Sequence, residues 1–131
     1  MGSFTDYLEK KVLNALFGND TIPSLTTYFA LFTAAPSDAS GGTEVAATSN
    51  YARVNFSTMS SATADSRNST TITFATCTGA GGAWGTVSHF AVFDSLSAGN
   101  MLMWATLTAS KAVATSDVAQ FASGSLTVSL D

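Results

Sequence analysis

A chain of 131 residues has the length of one domain, long enough to bury a core without disulfide or metal staples. The net charge is −4, and of the five basic residues Lys10, Lys11, Arg53, Arg67 and Lys111 only the first two are adjacent. That excludes nucleic-acid binding and a polybasic membrane anchor, both of which need clustered cations. Charged residues make up 11% and hydrophobic ones 46%, so Ser, Thr, Ala and Gly must cover much of the surface. Such a surface suits packing against neighbours, because close contact then strands few charges.

Residues 1–18 read as an N-terminal amphipathic helix, and residues 19–131 as a β-sandwich within one overall domain. Ser3 is the candidate N-cap, with Asp6 at the capping-box position near the positive end of the dipole. Phe4, Leu8, Val12, Ala15 and Leu16 share one face at helical spacing, and Gly18 offers a stop. That face can dock on its own domain or on a partner. The opening "MGSFTDYLEKKV" lacks the basic and apolar regions of a secretory signal, so synthesis in a cytoplasm is expected. No apolar run approaches the ~20 residues of a membrane span.

After Pro23 the helical repeat gives way to a strand repeat. "TTYFALFT" (26–33) places Phe29 and Leu31 on one face and Tyr28 and Phe32 on the other, so both faces need cover. "YARVNF" (51–56) alternates, with Ala52, Val54 and Phe56 predicted inward and Tyr51, Arg53 and Asn55 outward. "TTITFAT" (70–76) points Ile72 and Phe74 inward. "TVSHFAVF" (86–93) and "MLMWATL" (101–107) form a predicted hairpin around "DSLSAGN", entered at Gly85 and turned at Asp94. "KAVA" (111–114), "VAQFA" (118–122) and "SLTVSL" (125–130) follow, the last with Leu126, Val128 and Leu130 on one face. About seven or eight short strands at this spacing predict a mainly β fold, a single antiparallel β-sandwich of jelly-roll or Ig-like Greek-key type with one N-terminal helix.

Chemistry is sparse. His89 is the one histidine. Its neighbour Ser88 is expected on the opposite strand face and Asp94 also points away, and no nucleophile elbow presents a serine. A structural histidine at a sheet margin or subunit contact is the better reading. One His and one Cys cannot make a zinc site. Cys77 reads as a small core filler. Asp38 and Glu44 lie in a loop that lacks the alternating acids of a calcium motif. Asp38, Glu44, Asp65, Asp94 and Asp117 are candidates for a glycosidase pair, but acids in loops commonly form turns. "GAGG" (79–82) lacks phosphate-loop spacing. The aromatics Tyr28, Tyr51, Trp84 and Trp104 could stack on sugar, although strand aromatics more often fill cores and interfaces. No catalytic residue, cofactor or metal is therefore assigned. The candidate interface residues are Phe4, Leu8, Val12, Tyr28, Tyr51, Trp84, His89 and Trp104.

Four features along the chain carry a resemblance. They are the amphipathic segment ending "NALFGN", then "YFALFTAAPSDASGGTEV", then "YARV" at 51–54, and "WGTVSHFAVFD" with "GNMLMWATLTASKAV" and the closing "FASGSLTVSLD". On these the chain resembles short tailed-bacteriophage virion proteins, usually labelled tail fibre or minor structural proteins. The resemblance implies a non-enzymatic virion component, made in the host bacterial cytoplasm, homo-oligomeric and packed against other capsid or tail proteins. Two placements fit: a tail or fibre component, or a capsid-surface decoration (cement) protein, often a trimer. The alternative is a glycan-binding module for host-surface recognition.

Overall fold

The computed structural model describes residues 3–39, 41–56, 59–61 and 65–129. In chain order the elements are β1 (Ser3–Phe4), α1 (Asp6–Leu16), β2 (Tyr28–Ala34), β3 (Thr43–Glu44), β4 (Val54–Asn55), β5 (Met59–Ser61), β6 (Asp65–Asn68), β7 (Ile72–Thr73), β8 (Gly85–Phe93), β9 (Met101–Val113), β10 (Gln120–Phe121) and β11 (Thr127–Ser129). The fold is mainly β, with one helix and antiparallel sheets in a sandwich-like arrangement. The main sheet runs β1-β9-β8-β2-β3, with β4 also on β2. Two smaller sheets are β10-β7 and β11-β6-β5.

The predicted two-faced strand is the centre of this arrangement. Phe29, Ala30, Leu31 and Phe32 of β2 are all buried. Phe29 and Leu31 face a core with Val92, Leu102, Phe56, Ile72, Phe74 and Leu126. The ring of Phe29 lies 4.8 to 6.2 Å from those of Phe56, Phe74, Phe90 and Phe121. Ala30 and Phe32 face the other way, onto Ala91 and Phe93. Ile72 and Phe74 point inward as their alternation requires.

The predicted hairpin is present and longer than expected. β9 runs on through "KAV", so 111–113 continue the hairpin and form no separate strand. Gly85 enters β8 at φ +83°, a left-handed conformation that glycine adopts at little cost. Asp94 turns the chain by accepting from Asn100 N and Asn100 Nδ2, at 2.7 and 2.8 Å. The ladder is irregular in its middle. Val87 pairs with Lys111 and His89 with Thr106, so β9 advances five residues where β8 advances two, three in excess.

Two local expectations are corrected. The helix cap is Thr5, not Ser3, which pairs with Trp104 in β1. Thr5 Oγ1 accepts from Leu8 N and its own hydroxyl reaches the carbonyl of Leu102, so the cap is fixed by a strand far away in sequence. In "YARVNF" only Val54–Asn55 is strand. Upstream of it the alternation breaks, and Tyr51 is buried while Ala52 is exposed. Val128 is half-buried beside buried Leu126, while Leu130 lies outside the described residues.

Phe29→Ala is expected to lower the unfolding free energy by about 3–5 kcal/mol, the usual cost of emptying a buried phenylalanine site. Urea unfolding of variant and parent measures it.

Candidate functional site

The expected interface residues fall into three places. Tyr51 and Trp84 are only 7% and 5% exposed. Their rings meet edge to face at 5.3 Å, and both contact Phe74. Trp84 Nε1 donates to Ser49 O at 3.2 Å, and Ser49 Oγ also binds the 79–82 turn. These two aromatics therefore belong to the monomer core and offer no stacking platform.

Tyr51 is also the inner end of a polar clamp. Its hydroxyl accepts from Leu31 N at 2.9 Å and donates to Glu44 Oε1 at 3.1 Å. Arg53 holds the same carboxylate with two bonds, Nε to Oε1 at 2.8 Å and Nη2 to Oε2 at 2.7 Å. Arg53 Nη1 donates to the carbonyls of Ser95 and Ala98, and its guanidinium lies 3.5 Å over the Phe93 ring. A planar cation with five donors can do all of this at once. The clamp fastens the 94–98 turn and β3 over the second apolar face of the sheet. Sequence reading put Arg53 outward. The charge pattern alone, one Glu and one Arg in neighbouring segments, was the available signal.

Tyr28, His89 and Trp104 are half-buried on that second face. Trp104 lies 6.0 Å from the His89 ring and its Nε1 donates to Asp38 Oδ1 at 3.0 Å. Ser88 Oγ sits 2.8 Å from His89 Nδ1, contrary to the expectation that strand neighbours diverge. The irregularity between Val87 and His89 breaks the alternation there. Ser88 Oγ also lies 3.3 Å from Thr33 O, and no carboxylate among the described residues bonds to His89. The loop acids are engaged elsewhere: Asp38 on Trp104, Glu44 on Arg53, Asp94 on Asn100, and Asp117 on Ala114 N. The Asp65 side chain lies outside the described set. Cys77 is buried against the 79–82 turn.

The N-terminal residues give the third place. Phe4, expected on the helix face, is instead in β1 opposite Met103 and is half-buried; Leu8 of α1 is half-buried against the core, while Val12 is 41% exposed. In α1 the half-buried positions are Leu8, Lys11, Asn14 and Ala15. Val12, Leu13, Leu16 and the capping Phe17 point away from the sheet, and Leu16 and Phe17 are more than 70% exposed. The apolar stripe of the helix is turned outward. Seven of the nine large apolar residues exposed among the described residues lie between Tyr7 and Leu25, so this is one region and not scatter. Apolar surface gathered in this way marks contact sites.

A family model described as Podophage GP4 fiber I protein gp80 matches residues 3–129. The chain belongs to that family. No curated protein matches it. Membership in the gp80 fibre family makes the chain a structural component of a phage virion, as the sequence resemblance implied. The match spans α1 as well as the sheets.

Burial pushes the Tyr51 phenol above its ordinary value of 10.0, and the neighbouring Glu44 carboxylate adds to the rise, while the bond from Leu31 N opposes it. A folded-state value above the unfolded one means the stabilisation is whole below the unfolded value and is lost as pH rises beyond it. Unfolding free energy should therefore fall between pH ~9 and ~11 as the unfolded chain ionises. Tyr51→Phe should flatten that slope while costing about 1–3 kcal/mol at neutral pH, because Leu31 N loses its acceptor. Urea unfolding across this range tests both effects.

Proposed function

We propose that this chain is a non-enzymatic building block of a phage fibre, assembling as a homo-oligomer and packing against other virion proteins through α1 and the arm that follows it. The observation that carries the reading is the outward stripe Val12, Leu13, Leu16 and Phe17, continued by Ile22 and Leu25. A surface helix of a self-contained globular domain turns such a stripe inward to the core. Here it needs cover from another subunit. The Ser and Thr-rich surface supports the same reading, since contact then desolvates few charges. The family description favours the fibre over a cement position on the capsid.

Quantitative mass spectrometry of purified virions should find a few to a few dozen copies per particle. Hundreds, near one per capsid subunit, would place it on the shell as a cement protein. Its absence from the particle would end the structural reading.

A further inference from the structure

We infer that the outward stripe of α1 inserts into the groove beside β9 of a second copy of this chain, head to tail. This rests on the reading of α1 as a contact surface and names what it contacts. The groove encloses about 820 Å3 between β9 and residues 117–127, within the range of real binding pockets. One wall is the stretch where β9 carries its three extra residues. From Ala105 to Val113, β9 has β8 on one side and no strand on the other among the described residues. The floor is apolar. Phe90, Leu107 and Phe121 are half-buried there, and Val118 is 44% exposed. Lys111 and Asp117 supply its charges.

The helix carries the complement. Glu9, Val12, Leu13, Leu16 and Phe17 follow the spacing of one helical face, with Lys10 beside Glu9. Among the described residues Glu9, Lys10 and Lys111 have no ion-pair partner, whereas Lys11 is paired with Asp20 and Arg53 with Glu44. Stripe in groove, Glu9 meets Lys111 and Lys10 meets Asp117, while the four apolar side chains cover the groove floor. Stripe against stripe fits less well. A parallel pair sets Glu9 against Glu9, and an antiparallel pair sets it against Phe17. A stripe-in-groove contact is heterologous, so it propagates into a ring or an open chain of subunits.

The test uses the full chain and two variants altered only at exposed positions. One is helix-defective (Leu16→Glu with Phe17→Glu) and the other groove-defective (Lys111→Glu with Val118→Glu). By sedimentation the parent should associate with concentration, and each variant alone should be monomeric. An equimolar mixture should give a one-to-one heterodimer, because it restores one good helix and one good groove. Glu9→Lys and Lys111→Glu should each weaken association at least ~10-fold, equivalent to about 1.4 kcal/mol, and their combination should recover it. A parent that stays monomeric, a mixture without heterodimer, or charge reversals without effect would each overturn the inference. A helix–helix contact shows itself as self-association of the groove-defective variant. If the parent is monomeric while virion mass spectrometry still finds the chain in particles, the docking inference and self-assembly in solution fail, and the reading as a virion component stands. If the chain is missing from particles, that reading fails independently.

Discussion

The fold depends on a sheet that is apolar on both faces. β2 sits between β8 and the short β3 and β4 strands, and four consecutive residues, Phe29 to Phe32, are buried. Such a strand cannot lie at a surface, so the chain must supply two covers. One is a second layer of small sheets and loops, bringing Phe56, Ile72, Phe74 and Leu126 onto Phe29 and Leu31. The other is thin. It consists of turns fastened by Arg53 across Glu44, Ser95 O and Ala98 O, with the guanidinium flat on Phe93. One bidentate ion pair in a chain with few charges thus holds a whole face, and with Arg53 only 9% exposed its partners stay satisfied. Removing one member of such a pair is far more harmful than the net worth of the pair suggests.

Much of this was legible in the sequence. The two-faced β2, the β8–β9 hairpin, Gly85 at its entry and Asp94 at its turn all follow from local alternation and turn chemistry. So do Ile72 and Phe74 as core residues and Gly18 as the helix stop, at φ +76°. The parts that were not legible share a cause: they are phase errors. Strict alternation fails within β8 itself, where Val87, Phe90 and Val92 face one core and Ala91 and Phe93 the other, so Ser88 and His89 do not diverge. Tyr51 lies just before β4, where the backbone is no longer extended in register, and it turns inward to bond Leu31 N. The helix is amphipathic as its spacing requires, but the orientation of its apolar face was left open, and the structure divides that face: Leu8 and Ala15 are half-buried while Val12 and Leu16 are exposed. Its roll is set by β1 pairing with Met103 and Trp104 and by Thr5 bonding to Leu102, contacts nearly a hundred residues distant that no local period encodes.

That roll links fold to function. Because Leu8, Lys11, Asn14 and Ala15 are the half-buried positions of α1, its stronger apolar positions are left exposed. The aromatics that suggested sugar binding are instead spent on the core, as with Tyr51 and Trp84, or tied to a loop acid, as with Trp104. The exposed large apolar residues gather instead between Tyr7 and Leu25. This agrees with its membership in a phage fibre family.

Hydrogen exchange of α1, compared between the isolated chain and the purified virion, tests the central claim most directly. An exposed helix held by its own fold only along one side should open easily when alone, because local stability follows buried contact. The account predicts that amides of Asp6–Leu16 exchange much faster than those of β2 and β8 in the isolated chain and become protected in the particle. Equal exchange of α1 in both settings would contradict it, for the outward stripe would then have no partner in the virion.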